Sequence, residues 1–406
     1  MALRRLIVDG VAIWGISVLL SVPVFLERTF GRVTVDQLAF FLFLPDGAIG
    51  TDISVLLKAL NFLLINPALY TIIIFLPSYI IIKKYIWPSF LNGPWSKFLI
   101  VFISFCYVLV SLGVAGLFER NAGPDQFSEV YEPIDIGAYR PTKNLILLYV
   151  ESLEIGYSDT SLFGRDLNKK LNLIFPRTPL RLLQAPGTGW TTAGMIASQC
   201  AVPLSGFMGN KLIHRRGPIL GGVLCLSDLL DIAGYYQAFY VGPELTFSGM
   251  DKFYLNHGFD RAWGKREIDS ELRQPDLNTG WGGGINDDTL LDLAYQDIVE
   301  RWKKKTPFNV TIITTDNHAA NGKLSPRCFQ KVDGPQINHV IECTNSTIQR
   351  FANRLRADGV LEDTVLVVMG DHLFMANSEQ KQFLAPKRFV YFNFLGGGTD
   401  LLLQKR

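Results

Sequence analysis

Four short stretches hold the residue types from which a metal-assisted transfer site can be built. They are Glu151-Ser152-Leu153-Glu154, Asp316-Asn317-His318, Gly370-Asp371-His372 and the run Gly187-Thr188-Gly189-Trp190-Thr191-Thr192-Ala193-Gly194-Met195-Ile196-Ala197-Ser198-Gln199-Cys200. Two carboxylates and an imidazole form a ligand set suited to a divalent cation, and a nearby hydroxyl would complete it. In the last run, glycines and small hydroxyl residues lead into a helical pattern. A helix starting near Thr191 would aim its first backbone N–H groups at an anion, with the Thr191 hydroxyl as nucleophile. Taken singly, each stretch also has a plain reading: a polar loop residue, or a threonine that caps a helix.

The chemistry requires elements that bring these stretches together. Leu145–Val150, Gln237–Val241, Val310–Thr314, Val365–Met369 and Phe389–Phe394 read as buried strands; the first, third and fourth are continuous apolar or β-branched runs, as central parallel strands tend to be. Those same three run directly into Glu151, Asp316 and Gly370-Asp371-His372. Asp287–Lys303 reads as a helix with Leu290, Leu291, Ala294, Ile298 and Trp302 on one side. Ser346–Asp358 reads as another, with Ile348, Phe351, Ala352 and Leu355 inward and Gly359 as its stop. Such alternation predicts an α/β domain over 144–406 with a mainly parallel sheet between helices. Ligands in such sheets sit outside the carboxyl ends of the strands.

The chain has 406 residues, a formal net charge of +2 and 48% hydrophobic residues, so bulk electrostatics gives no reason to expect a nucleic-acid partner. The apolar excess lies in the first third. Leu6–Leu26, Phe62–Ile82 and Phe98–Phe118 each approach the roughly 20 residues that cross a bilayer, which predicts a membrane domain over 1–118 with three transmembrane helices. Thr34-Val35-Asp36-Gln37 has the form of a capping box ahead of Leu38–Leu44, an expected interfacial helix. Arg4, Arg5, Lys83, Lys84 and Lys97 share one side if the N-terminus is cytoplasmic, which puts everything after Phe118 outside. The first span shows no small-residue cleavage site and reads as a retained anchor. Residues 119–143, proline-rich and polar, read as a linker. Four cysteines lie beyond Cys106; closeness in sequence favours Cys200–Cys225 and Cys328–Cys343 among three pairings. His257 reads as structural.

Asn144-Leu145-Ile146-Leu147-Leu148-Tyr149-Val150-Glu151-Ser152, Gly187-Thr188-Gly189-Trp190-Thr191 and Gly370-Asp371-His372 resemble the core motifs of the lipoteichoic acid synthase-like, sulfatase-related branch of the alkaline phosphatase superfamily. Gly187–Cys200, followed by Ala201-Val202-Pro203-Leu204, is most similar to the phosphoglycerol transferases that modify osmoregulated periplasmic glucans. The resemblance implies that Glu151, Thr191, Asp371 and His372 bind one divalent metal, manganese by expectation. It makes Thr191 the nucleophile and His318 the contact to the phosphoglycerol group. It also implies a phosphatidylglycerol donor, a glucan or other polyol acceptor, and a multi-pass inner-membrane protein with a periplasmic catalytic domain. The family's substrate tryptophan and arginine follow a strand like Gln237–Val241; Phe247 and Gly249 stand there in this chain, and Trp190 is the candidate aromatic wall. The chain ends soon after Gly396, so a shortened C-terminal sheet edge is expected. A phosphoethanolamine transferase and a non-catalytic membrane protein are the alternatives. A hydrolytic sulfatase would require Cys/Ser-x-Pro-x-Arg, which Thr191-Thr192-Ala193-Gly194 does not supply.

Overall fold

The computed structural model describes residues 2–30, 53–86, 94–112, 141–185, 187–204, 219–272, 280–318, 321–328, 336–375 and 387–398. These fall into two compact units, one helical and N-terminal, the other holding the chain from Tyr131 onward. The expected capping box, interfacial helix and most of the linker lie outside the described residues.

In the first unit, α1 (Ala2–Phe30) packs on α2 (residues 53–86) and α3 (Pro94–Ser111). Within α2, wider π-type turns at Asn61–Ile65 and Thr71–Phe75 are each followed at once by a proline, Pro67 and Pro77, whose missing N–H already interrupts the ladder. Ile7–Thr29 and Leu57–Ile81 are long and apolar enough to cross a bilayer, and little of either is buried within the protein (6% and 11%). The third expected span is not matched in length: its described apolar helix, Phe98–Ser111, is shorter than a crossing requires, and Gly113–Phe118 lies outside the described residues. Asp9, the charge inside the first span, accepts a 3.4 Å hydrogen bond from the Tyr79 hydroxyl.

The second unit is a seven-stranded sheet in the order β2 (Leu180–Leu182), β7 (Val390–Gly396), β6 (Thr364–Gly370), β1 (Asn144–Val150), β5 (Phe308–Thr314), β3 (Tyr236–Val241), β4 (Arg261–Trp263). Strands β6, β1, β5, β3 and β4 run parallel, while β7 and β2 pair antiparallel along one edge. The five expected strands all form; β2 and β4, three residues each, were not expected. All of β5 and most of β1 are buried, so both faces of the sheet centre are covered. The register matters for function. Val150 lies level with Thr314 on one side and Gly370 on the other, so the residues that follow these strands emerge side by side.

Four helices position the rest: α4 (Thr191–Cys200), α5 (Leu226–Ile232), α6 (Asp287–Lys303) and α7 (Gln336–Ala357). The α6 bounds match the sequence expectation, with Asn286 capping it through Thr289 N–H at 3.0 Å. Helix α7 starts about two and a half turns earlier than expected and stops at Gly359, which is left-handed (φ 80°).

Both disulfides form as expected, Cys200–Cys225 and Cys328–Cys343. The first ties the end of α4 to the start of α5. Beside it, buried His257 faces two acceptors, with Nδ1 2.9 Å from an Asp228 oxygen and Nε2 2.7 Å from the Ile219 carbonyl. Both ring nitrogens must therefore donate, which describes an imidazolium. Burial works against that charge, but Asp228 and Ile219 outweigh it and raise the His257 pKa. The stabilisation is then fully present below the ordinary histidine pKa and is lost as pH rises through the raised folded-state value. Thermal unfolding between about pH 6 and about pH 9 should show wild type losing stability relative to His257→Gln. A pH-independent difference would show that His257 is not held charged.

Candidate metal centre and active site

Glu151, Asp371 and His372 follow the level ends of β1 and β6, and their ligating atoms lie within 4.8 Å of one another. All three are buried, at 1%, 5% and 0% exposure. Each is aimed by a specific bond. Ser152 N–H and His372 N–H both donate to Asp371 Oδ1 at 2.8 Å, and the Ser152 hydroxyl donates to Glu151 Oε1 at 2.6 Å. Ser152 holds a left-handed backbone (φ 56°), strained for a residue with a side chain, to make both contacts. His372 Nδ1 lies 2.8 Å from the Leu373 carbonyl, which can only accept. A proton therefore sits on Nδ1, and Nε2 faces the carboxylates, 3.4 Å from Glu151 and 3.3 Å from Asp371, where its lone pair would be open to a cation.

Thr191 completes the cluster. It is the first residue of α4, and Trp190, not Thr191, occupies the cap position without a side-chain cap bond. Its Oγ1 lies 3.2 Å from Glu151 Oε2 and 3.5 Å from His372 Nε2. Thr192 is turned elsewhere, donating to the Ser248 carbonyl at 3.0 Å. Gly194 explains how α4 comes so close: a Cβ there would lie 1.8 Å from the Asp371 carbonyl oxygen. Without a cation the charges are in conflict. Burial, then the Glu151 carboxylate, push Asp371 up to about 7. Burial disfavours a charged His372, yet Asp371 and Glu151 outweigh it and raise its pKa. Among the described residues, Asp371 Oδ2 is buried with no hydrogen-bond partner. Two carboxylates, one lone-pair nitrogen and an unused buried oxygen fit a divalent cation. Two other clusters of similar composition contain Cys225, or Cys328 and Cys343, all consumed by disulfides.

The chain matches a known family, described as Sulfatase, over residues 143–395. The chain belongs to the sulfatase family. Phosphoglycerol transferase I of Escherichia coli is 35% identical over 290 residues, covering 68% of this chain and 37% of that relative. The Citrobacter koseri protein of the same name is 33% identical over 302 residues, covering 71% of this chain and 38% of the relative. The chain thus spans well under half the length of these curated relatives. Among solved structures, the lipoteichoic acid synthase LtaP of Listeria monocytogenes has a TM-score of 0.50 at 19% identity, covering 62% of this chain and 65% of its own. The integral membrane lipooligosaccharide phosphoethanolamine transferase A of Neisseria meningitidis has a TM-score of 0.50 at 14% identity, covering 98% of this chain and 78% of its own. These two show the fold. Enzymes of the sulfatase and alkaline phosphatase superfamily use a divalent metal.

Of the residues expected at a sulfatase-family site, Glu151, Thr191, Asp371 and His372 come together. His318 lies just beyond the end of β5, buried and stacked on Trp281 with ring centroids 3.9 Å apart. Trp190, the expected aromatic wall, is 4% exposed and packed into the core, directly ahead of Thr191; the partly exposed Trp281 stands beside His318. The bonds of Ser152 and the Glu154–Arg388 ion pair escaped the sequence reading. Glu154 also accepts from Phe374 N–H at 2.9 Å, holding the segment that follows His372. Only the left-handed backbone at Ser152 marks its role, and that is not written in residue type. Thermal unfolding with added Mn2+ tests the centre: stabilisation of about 2.7 kcal/mol is expected at about a hundred times the Kd. Asp371→Asn should abolish that response while matching or exceeding wild-type stability without the cation, because one of two crowded buried carboxylates is gone. An unchanged response in Asp371→Asn would rule out this cluster as the cation site.

Proposed function

We propose that this protein is a membrane-anchored phosphoglycerol transferase that moves glycerol phosphate from phosphatidylglycerol to a glucan or other polyol hydroxyl, with Thr191 as nucleophile. The observation that carries this reading is the Thr191 hydroxyl at the start of α4, within 3.2 Å of Glu151 and 3.5 Å of His372 Nε2. Glu151, Asp371, His372 and Thr191 would hold one divalent cation, manganese in our reading. Bound there, it supplies Lewis-acid polarisation of a phosphoryl oxygen and lowers the pKa of a coordinated hydroxyl. Thr191 Oγ1 attacks phosphorus and passes its proton to Glu151 Oε2, the acceptor of its 3.2 Å hydrogen bond. The bond from phosphorus to the diacylglycerol oxygen breaks, and that oxygen takes up a proton, for which His318 is the candidate donor. Diacylglycerol leaves and glycerophosphoryl-threonine remains. The acceptor hydroxyl then attacks phosphorus, breaks the threonine ester, and returns a proton to Thr191.

A lipid donor requires the catalytic unit beside a membrane, which the two long apolar helices support. We place those helices in an inner membrane as a multi-pass anchor, with the catalytic unit on the periplasmic side. The relatives named phosphoglycerol transferase I favour this donor. Phosphoethanolamine transfer is the second reading, favoured by a fold shared over 98% of this chain with an enzyme of that name. The assembled cluster argues against a non-catalytic protein. Incubation with head-group-labelled phosphatidylglycerol and Mn2+, followed by mass spectrometry, should find a glycerophosphoryl adduct on Thr191 and none in Thr191→Ala. An adduct formed only from phosphatidylethanolamine would replace this reading with the second.

A further inference from the structure

Trp281 lies outside every motif singled out in the sequence, yet the structure builds a support around it. It sits in Gly280-Trp281-Gly282-Gly283-Gly284, directly ahead of α6. The turn is pinned to the end of β3: Ile285 N–H donates to the Gly242 carbonyl at 2.8 Å, and a Cβ on Gly284 would lie 2.7 Å from that same oxygen. Two buried aspartates then lock the turn to the segment carrying His318. Asp316 accepts from Trp281 N–H and Asp287 N–H, both at 3.0 Å, one on each oxygen. Asp287 accepts in return from Thr315 N–H at 2.8 Å and from Asp316 N–H. The clamp is reciprocal, and His318 is two residues beyond it.

The clamp fixes an aromatic row. His318 stacks on Trp281 at an interplanar angle of 21°, and Phe247 meets Trp281 edge-on at 5.7 Å. Ser248, next to Phe247, accepts the Thr192 hydroxyl bond. The row therefore leads from His318 to the residue beside the nucleophile. Trp281 is partly exposed, and among the described residues its indole N–H makes no hydrogen bond. A partly exposed indole with an N–H donor, packed beside an imidazole, suits a compact hydroxyl-bearing group: C–H bonds against the ring and a hydroxyl at the indole nitrogen. Asp287 and Asp316 are buried and engaged by backbone N–H groups, so the clamp presents no carboxylate to an ammonium head group.

We propose that Trp281 is a specificity-determining residue that receives the uncharged polyol head group of the phosphodiester, and that Asp316 positions it. This rests on the transferase reading above and assigns that site its head-group contact. Equilibrium binding to the Mn2+-loaded full chain tests it without turnover, using glycerol 1-phosphate, ethanolamine phosphate and inorganic phosphate as probes. Wild type should bind glycerol 1-phosphate more tightly than the other two. Trp281→Ala should weaken glycerol 1-phosphate roughly tenfold, the loss of about 1.4 kcal/mol, and leave inorganic phosphate unchanged. Trp281→Phe should lose less. Asp316→Asn should lower the ratio of glycerol 1-phosphate to inorganic phosphate affinity, a ratio that general destabilisation would not move. Equal weakening of all three probes, or no change in either variant, would overturn the assignment. Ethanolamine phosphate binding tightest would overturn the polyol preference. A threonine adduct from phosphatidylglycerol alongside any of these outcomes would leave the transferase reading standing and remove only the wall.

Discussion

Two carboxylates and an imidazole buried within a few ångströms of each other form the constraint on which this domain depends. Left without a cation, such a cluster opposes folding, because buried like charges cannot both remain ionised at no cost. The devices that hold it are correspondingly specific. Register brings the ends of β1 and β6 level, so Glu151 and Asp371 need no long loop to meet. Ser152 accepts a strained backbone to bond both carboxylates, and the Leu373 carbonyl fixes which histidine nitrogen faces inward. Only backbone and short side chains take part, which leaves little freedom for the ligands to relax apart.

The same geometry separates the two candidate hydroxyls. Thr191 and Thr192 are adjacent and chemically identical, so residue type cannot choose between them. Successive residues of a helix point about 100° apart, and one of the pair must turn away from the cluster. Gly194 lets α4 press its backbone against Asp371, and at that distance it is Thr191 that faces Glu151 and His372 while Thr192 reaches Ser248. The Cys200–Cys225 disulfide anchors the other end of this ten-residue helix. A short helix anchored at both ends keeps a hydroxyl in place better than its own hydrogen bonds could.

Much of this was legible in residue order, for identifiable reasons. Continuous apolar runs marked the central strands, and the chemistry sat immediately after them. Sequence proximity was enough for both disulfides. What escaped depends on contacts between distant segments. Strands β2 and β4 are three residues long, too short for any periodicity. The first turns of α7 bury Asn338, Thr344, Asn345 and Thr347, polar residues that a hydrophobic pattern reads as surface. Two of them reach remote partners: Asn345 donates to the Leu167 carbonyl, and Thr344 to Asn317 beside the site. Trp281 was invisible because its partners, Asp316 and His318, lie more than thirty residues away. The third apolar run was legible as hydrophobic, but composition alone did not fix how much of it is helical.

A division of labour follows from where each part is anchored. The reaction centre is written into strand register and the start of α4, elements that cannot shift without disrupting a sheet buried on both faces. The aromatic row stands on turns between elements, at 247–249 and 280–285, held by two aspartates and by close glycine contacts rather than by the ladder. Under the reading proposed above, changes in those turns would alter which head group is received while the Thr191 hydroxyl stays where it is. A family that shares one centre and differs in substrate would be expected to vary in such turns. A bond from the Thr192 hydroxyl to the Ser248 carbonyl ties the row to α4, next to Thr191.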